Sequence, residues 1–317
     1  MTLLHDAADA ARQAPLWDVV IVGAGPAGLS AALNLARARR RVLVLDSNRP
    51  RNAVTLASHG FLTRDGVSPM ELRSLGRDEL ANYPEVEFRK TVVTAIVRDG
   101  DEFVVTDRAG SSRSRTILLT TGLTEKLPAL PSLRTFYGTS IHSCVACDAY
   151  EYADKPIALL GETDDLAARA LHLSQWSRDL IVFTNGVGNV SGADEATLGL
   201  RGIRVDRRAV ADVAGDRSGL TGVVLADGET IPRDAMFVRP VWSSGLGYAA
   251  SLEIDVNSDG LLAVDSEGRT SAALVYAAGD STPPGPQQLI VAAGAGACTA
   301  NALNGDLIAM DPATRRE

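Results

Sequence analysis

The sequence predicts an α/β fold, and two observations carry that prediction. An apolar strand at residues 18–22 runs into a glycine-rich turn at residues 23–28 and then into an alanine-rich helix. A second strand-turn-helix-strand unit occupies residues 156–183. Strands that alternate with helices indicate parallel sheets covered by helices. The economical interpretation is two Rossmann-like, three-layer nucleotide-binding domains, the second inserted into the first.

The glycine-rich turn has the spacing of a dinucleotide fingerprint. Gly23 permits the sharp turn, Gly25 lets the backbone approach a pyrophosphate, and Gly28 lets the helix pack on the strand. Pro26 and Ala27 begin the helix, whose N-terminus favours a phosphate group. The turn therefore predicts a dinucleotide site near the start of the chain.

A carboxylate lies where such a site needs one. The strand at residues 41–45 ends at Asp46, roughly 20 residues beyond the turn, where a carboxylate would bind a ribose hydroxyl. The alternative is a glycine-rich turn in some other α/β protein. The strand and the carboxylate at this distance favour the dinucleotide site.

The composition is that of a soluble protein of two domains, with 317 residues, 45% hydrophobic and 22% charged. A formal net charge of −8 and the lack of a long basic run argue against nucleic acid or an anionic membrane as partner. The uncharged residues 19–35 are divided by the turn into a strand and a helix, each too short to cross a membrane. The first fifteen residues lack the pattern of a secretory signal, so a cytoplasmic location is expected.

The remaining elements follow in chain order. A turn-rich loop at residues 47–52 is expected to fold over the cofactor, and residues 68–82 are expected to form a helix. Strands at 91–98 and 102–107 flank an Asp-Gly pair, which is a strong hairpin signal. Residues 117–122 resemble a buried strand that ends at a glycine.

Two prolines, Pro128 and Pro131, mark a change of domain. The predicted division is 16–123 for the first part of one domain, 124–245 for the inserted domain and 246–317 for the return. Within them we expect a helix at 166–177, short strands between 203 and 241, and a small-residue helix at about 288–303.

Four motifs in order now identify a family resemblance. They are the turn at 23–28, Thr121-Gly122, the segment Cys144-Val145-Ala146-Cys147-Asp148, and Tyr-Ala-Ala-Gly-Asp at 276–280. From Trp17 onward the chain resembles the low-molecular-weight thioredoxin reductase family of flavoproteins. That family is homodimeric, and a homodimer is therefore expected.

The resemblance implies that the first and last segments hold FAD. Asp280 then corresponds to the carboxylate at the ribityl chain of the flavin, and the last helix directs its positive end at the flavin ring. Two glutamines stand where the family has Arg-Gln before that helix. Besides the turn and Asp46, the predicted cofactor residues are Asn52, Thr121, Gly122, Gly279, Asp280, Gln287 and Gln288.

The pair Cys144 and Cys147 is the candidate redox centre. A Cys-x-x-Cys can also bind zinc or be accidental, but zinc normally takes four ligands, and the four histidines are scattered along the sequence. No metal is therefore expected. The third cysteine, Cys298, is expected to be a buried small residue. The resemblance implies that Cys147 faces the flavin, that Cys144 exchanges with the substrate sulfur and that Asp148 is the acid–base group.

A histidine, His142, precedes the first cysteine by two positions. It is a candidate for lowering a thiol pKa or for moving a proton near neutral pH. A solvated or structural histidine is the alternative, and the sequence leaves both open.

The inserted domain lacks the residues of a working NADPH site. In its turn, residues 161–166, Thr163 and Leu166 replace the second glycine and the small packing residue, and three carboxylates lie nearby. Its second strand is followed by Thr184 and Asn185, where the family carries arginines for the 2′-phosphate. We therefore expect this domain to have kept its fold and lost its nucleotide.

The family reduces disulfides with electrons from NADPH. A protein with a flavin and a cysteine pair but no pyridine nucleotide is expected to run the opposite reaction, the oxidation of a dithiol to a disulfide. The chain is similar to the dithiol oxidases that close disulfides in natural products of the gliotoxin, holomycin and romidepsin type. The resemblance implies a small dithiol substrate, with dioxygen as acceptor and hydrogen peroxide as product. The alternatives are an NADPH-dependent reductase of thioredoxin or a small disulfide, a reductase fed by a protein donor, and a non-catalytic redox sensor.

Overall fold

The computed structural model describes residues 15–311, so the expectation for the first residues lies outside the described chain. The strands are β1 Leu16–Val22, β2 Val42–Asp46, β3 Val86–Lys90, β4 Val93–Asp99, β5 Glu102–Asp107, β6 Gly110–Leu119, β7 Thr124–Lys126, β8 Ile141–His142, β9 Ile157–Leu160, β10 Leu180–Phe183, β11 Arg204–Asp206, β12 Val210–Asp216, β13 Gly219–Leu225, β14 Thr230–Pro232, β15 Ala235–Val238, β16 Val241–Ser243 and β17 Val275–Ala277. The α-helices are α1 Pro26–Arg37, α2 Pro69–Leu80, α3 Leu133–Phe136, α4 Val145–Asp148, α5 Leu166–Leu173, α6 Gly192–Gly199 and α7 Leu289–Met310.

The first sheet has the strand order β3-β2-β1-β6-β5-β4, and β17 also pairs with β6. Strands β3, β2, β1, β6 and β17 are parallel, while β4, β5 and the first half of β6 form an antiparallel meander. One face carries α1 and α7, and the other carries the meander and a 3-10 helix at Leu246–Leu252. Because β17 returns from the end of the chain, this sheet joins its first and last segments.

Small residues determine how α1 and α7 pack. Alanines dominate the buried face of α1, and Ala292, Ala300 and Leu303 of α7 belong to the same apolar cluster. A Cβ on Gly296 would lie 2.0 Å from the backbone oxygen of Ala27, so only glycine permits this approach. The contact holds the start of α1 against the start of the chain's last helix.

The second sheet is wholly parallel, with the order β11-β10-β9-β15-β8. Helices α4, α5 and α6 share the core on one face, and the antiparallel strands β12-β13-β14 with α3 share the core on the other. The two strands β7 and β16 pair with each other and connect the sheets. Together these elements form the predicted α/β fold with two Rossmann-type sheets.

Some element bounds differ from the expectations. Helix α7 continues to Met310 because Leu307 extends its buried face. Helix α5 ends at Leu173, because the backbone N–H groups of residues 174–176 form a turn by donating to carbonyl groups of the last helical turn. Strand β6 begins at Gly110, since its first half pairs with β5. The expectation for Cys298 is wrong: it is exposed, and the buried positions beside it are Gly296, Thr299 and Ala300.

Candidate active site

One cavity of about 590 Å³ is lined by every predicted site residue except Gly28. It runs from the fingerprint turn past the loop after β2 to the cysteine pair of the second sheet. Gly28 instead packs beneath the turn, where an added Cβ would lie 2.0 Å from the backbone oxygen of Gly23. The fold thus gathers segments from three separate parts of the chain around one space.

The fingerprint turn presents bare backbone to this cavity. A Cβ on Gly23 would lie 2.4 Å from the oxygen of Thr120, whereas nothing lies within 4 Å of one on Gly25. Helix α1 begins at Pro26 after Gly25, with no side-chain cap and no acidic residue in its first turn. Its first N–H groups are therefore available to an anion, as a pyrophosphate requires.

Asp46 is the last residue of β2, and its carboxylate accepts three hydrogen bonds. Its Oδ1 accepts from the backbone N–H of Ala24 at 2.9 Å, and its Oδ2 accepts from Arg73 at 2.5 Å and from the N–H of Asn48 at 2.9 Å. A carboxylate has about four lone-pair sites, so one acceptor position remains for a ribose hydroxyl. Arg73, which sequence reasoning missed, is the buried cation that compensates this charge.

The end of β6 and the start of α7 complete the cavity wall. Thr121 accepts a hydrogen bond from the hydroxyl of Tyr248 at 3.2 Å, and burial raises the pKa of that tyrosine to about 12. Gly279 has a φ of +87°, and a Cβ there would lie 2.9 Å from the Cβ of Ala27. Other predicted cofactor residues on this wall are Asn52, Gly122, Gln287 and Gln288.

Asp280 belongs to an ion-pair network that the sequence did not reveal. Arg51 donates from Nη2 to Asp280 at 2.7 Å and from Nη1 to Glu125 at 2.8 Å. Burial alone would lower the pKa of Arg51, but the two carboxylates outweigh it and raise the pKa. Glu125 also accepts from the hydroxyl of Tyr137 at 2.6 Å and from Ser143 at 3.2 Å. The network therefore extends from Asp280 to the residue that precedes Cys144.

Cys144 and Cys147 form a disulfide at the cavity wall. Cys144 precedes α4, and Cys147 lies within it. Val145 and Ala149 are buried in the core that α4 shares with α5, so the segment is anchored between the two sulfur atoms and just after them. The free cysteine, Cys298, does not line this cavity. Within residues 15–311, no group of three or more His, Cys, Asp or Glu side chains could hold a metal ion.

His142 and Asp148 lie in contact beside this disulfide. Nε2 of the buried His142 faces the carbonyl oxygen of Thr139 at 3.1 Å and the hydroxyl of Tyr152 at 3.3 Å. Because a carbonyl only accepts, Nε2 carries a hydrogen. Nδ1 lies 3.3 Å from Oδ1 of Asp148, and two bare acceptors would repel each other there. A proton on either the imidazole or the carboxyl group would remove that repulsion, so the pair is suited to exchange one proton.

The turn after β9, where a second nucleotide would bind, is filled by the protein itself. A Cβ on Gly161 would lie 2.6 Å from Cδ2 of Leu166, and one on Gly188 would lie 2.7 Å from Cδ1 of the same leucine. Asp165 precedes α5 and accepts from Thr163 at 2.6 Å and from Arg239 at 2.8 Å. In contrast to α1, this helix start carries a carboxylate and a packed leucine.

The end of β10 is also occupied by internal contacts. Asn185 donates from Nδ2 to Glu162 at 2.7 Å, and its Oδ1 accepts from the backbone N–H of Val210 at 2.7 Å. The exposed Glu162 thus lies across the strand end where a 2′-phosphate would bind. An unpaired carboxylate about 4 Å from a phosphate costs roughly 1 kcal/mol even in water.

The family described as "Pyridine nucleotide-disulphide oxidoreductase" matches residues 17–296. "Thioredoxin reductase tcpT" of Claviceps purpurea is 29% identical over 277 residues, which cover 83% of this chain and 86% of that protein. A "Probable thioredoxin reductase" of Arthroderma benhamiae is 33% identical over 177 residues, which cover 54% of this chain but only 44% of that longer protein.

Two solved structures are similar to this chain over most of its length. HlmI is 36% identical with a TM-score of 0.89, and 94% of each chain is covered. The "Putative Thioredoxin Reductase TrxB" of Bacillus anthracis is 34% identical with a TM-score of 0.87, over 93% of this chain and 99% of that one. Within residues 15–311, no helix combines the length and apolar character that crossing a membrane requires.

Proposed function

The chain belongs to the pyridine nucleotide-disulphide oxidoreductase family, and from this premise we propose that it is an FAD-dependent dithiol oxidase. In this proposal Cys144 and Cys147 form a disulfide in a small-molecule or peptide natural product. Dioxygen accepts the electrons and becomes hydrogen peroxide.

One observation carries the proposal. Cys144 and Cys147 form a disulfide with the spacing of a redox-active pair. The turn at which this family would bind NADPH, in contrast, is filled by Leu166 and lined by Glu162 and Asp165. In this proposal electrons enter from the thiol side. Several relatives are named "thioredoxin reductase", so an NADPH-dependent reductase is the rival function.

The residues of the first sheet fit a flavin dinucleotide. The open backbone at Gly25 and the uncapped start of α1 would bind the pyrophosphate, and the free acceptor position of Asp46 would bind the ribose. Gly279 and Asp280 would lie along the ribityl chain. When bound, FAD would accept two electrons from the reduced cysteine pair and pass them to dioxygen.

The chain's own chemistry is thiol–disulfide exchange. A substrate thiolate attacks the sulfur of Cys144, the Cys144–Cys147 bond breaks, and Cys147 leaves as a thiolate. The second substrate thiolate then attacks the substrate sulfur of this mixed disulfide. The oxidised substrate departs, Cys144 is released as a thiolate, and two electrons have moved from the substrate to the cysteine pair.

We assign the proton transfers to His142 and Asp148. Each exchange needs a substrate thiol to lose a proton, and Nδ1 of His142 lies 3.3 Å from Oδ1 of Asp148 in the wall of the same cavity. Because Thr139 and Tyr152 fix the other ring nitrogen, proton movement is confined to the Asp148 side of the imidazole. A homodimer and a cytoplasmic location remain predictions from the sequence.

Product stoichiometry tests this function directly. In air and without pyridine nucleotide, the protein should convert dithiothreitol to its cyclic disulfide and form one hydrogen peroxide for each disulfide. Oxygen-electrode and peroxide assays measure both quantities, and heat-denatured protein with the same amount of free FAD is the control. Turnover that requires NADPH would instead support the reductase.

Asp148→Asn should slow dithiol turnover by about 10²- to 10⁴-fold, the usual contribution of a general acid–base group. The amide N–H of asparagine can still donate to Nδ1 of His142, so the position of the ring is kept while the ionisable carboxyl group is lost. Steady-state oxygen uptake measures the effect. Asp101→Asn, at an exposed hairpin turn, is the matched control. A variant within threefold of the parent rate would remove Asp148 from the mechanism.

Gly25→Val should give a folded protein that purifies without FAD. The φ of Gly25 is −76° and no atom lies within 4 Å of an added Cβ, so the change is tolerated sterically but places a side chain where the pyrophosphate must approach. Visible absorbance and circular dichroism measure cofactor and fold. Gly28→Ala is the contrasting variant, since its Cβ collides with backbone and should destabilise the fold itself. A yellow Gly25→Val protein would contradict the assigned site.

A further inference from the structure

Arg169 of α5 lines the same cavity as the disulfide and makes no ion pair among residues 15–311. Its Nη2 donates to the backbone carbonyl of Ser143 at 2.9 Å, so the guanidinium lies next to the residue that precedes Cys144. Its Nε is buried without a hydrogen-bond partner. Of the three other arginines in the cavity wall, Arg51 and Arg73 each pair with a carboxylate, and Arg49 is exposed.

The carboxylate that acts electrostatically on Arg169 is Asp165, and it already accepts hydrogen bonds from other residues. Asp165 accepts from the Nε of Arg239 at 2.8 Å and from the hydroxyl of Thr163 at 2.6 Å. Burial and the neighbouring Arg239 lower the pKa of Arg169, and Asp165 offsets this only in part. Two guanidinium groups thus share one carboxylate, which leaves an excess of positive charge among these three side chains.

A second donor of the same cavity wall also lacks an acceptor. Nε1 of Trp242 is buried without a hydrogen-bond partner, and the guanidinium of Arg239 lies over the indole ring at 4.6 Å. Buried donors without acceptors are exceptional in proteins, because each costs free energy that a partner would recover. A ligand with several acceptor oxygens and a negative charge would satisfy this part of the wall.

We propose that Arg169 is a specificity-determining residue that binds a carboxylate carried by the dithiol substrate, beside Cys144. This inference rests on the proposed dithiol oxidase function and narrows its substrate class to anionic dithiols. Arginine suits the role because its planar donors match the two oxygens of a carboxylate. A dinucleotide pyrophosphate is the other source of such an anion, and Leu166 and Glu162 disfavour it by filling the adjacent turn.

Dihydrolipoate and dihydrolipoamide test the inference, because they share one dithiol and differ only in a terminal carboxylate or neutral amide. The parent protein should have a kcat/KM at least about tenfold higher for dihydrolipoate. Arg169→Gln should abolish that preference by raising KM for dihydrolipoate, with kcat and the kinetics of dihydrolipoamide within twofold. Glutamine keeps a donor for the Ser143 carbonyl, and Arg169→Lys should restore part of the preference. Arg178→Gln, exposed and outside the cavity, is the control.

A binding measurement needs no turnover. Calorimetric titration of the oxidised holoprotein should show lipoate, the cyclic disulfide, binding at least about tenfold more weakly to Arg169→Gln, with lipoamide unchanged. Equal losses with both compounds would mean a purely structural role and would overturn the inference. So would Arg169-dependent binding of ADP-ribose without binding of lipoate, which would assign the anion site to a dinucleotide. If neither dithiol reduced the parent protein, the proposed function would fail, whereas reduction of both with equal efficiency would overturn only the role of Arg169.

Discussion

Cys147→Ser is expected to lose dithiol turnover by roughly 10³-fold or more, the scale seen when a covalent catalytic group is removed. The loss follows because the pair can no longer form the disulfide that the substrate thiolate attacks. Cys144 should nevertheless react with an aromatic disulfide such as 5,5′-dithiobis(2-nitrobenzoate) and retain half of it as a mixed disulfide. Without a thiol at position 147, nothing in the pair releases that adduct.

The reciprocal variant assigns the two roles. Cys144→Ser should also lose turnover but should trap little of the same reagent, because Cys147 is the sulfur assigned to the flavin side. Intact-mass spectrometry measures the adducts, and oxygen uptake measures turnover. Cys298→Ser is the matched control, since Cys298 is exposed on α7 and does not line the cavity. Equal trapping by both variants would reverse or remove the assignment, and normal turnover in either would exclude the cysteine mechanism.

NADPH is expected to reduce the bound flavin at least about 10³-fold more slowly than a dithiol does. Leu166 fills the space beneath Gly161 and Gly188, and Glu162 lies at the strand end through its bond with Asn185. A nucleotide would have to displace packed side chains and bring its phosphates towards unpaired carboxylate charge. Loss of nicotinamide absorbance with an aromatic disulfide as acceptor measures this rate in steady state. Dithiol-driven oxygen uptake by the same preparation is the control for active protein.

Local motifs were the part of the structure that the sequence predicted well. The fingerprint turn depends on steric rules for glycine, and Gly23 and Gly28 face backbone atoms at distances that exclude a Cβ. The hairpin between β4 and β5 forms at the expected Asp-Gly pair. The family resemblance and the α/β fold with two Rossmann-type sheets are confirmed. These features arise from short segments whose geometry depends on near neighbours.

Contacts between distant segments were not predictable in this way. Arg51 is 229 residues from Asp280 and 74 from Glu125, and its residue type alone does not indicate either partner. Arg169 falls within the helix predicted at 166–177, but its position in the sequence does not indicate that it lies beside Ser143 in space. For Cys298 the sequence pattern does not distinguish the buried from the exposed face, because α7 is rich in small residues all round. Such partners follow from the tertiary packing of segments that are distant in sequence.

The most direct measurement mixes the oxidised holoprotein, under nitrogen in a stopped-flow instrument, with either NADPH or dithiothreitol while the flavin absorbance is recorded. We expect dithiothreitol to bleach the flavin and NADPH at millimolar concentration to leave it oxidised on the same timescale. Bleaching by NADPH at tens per second, roughly the turnover of an ordinary enzyme, would contradict the oxidase and establish the reductase.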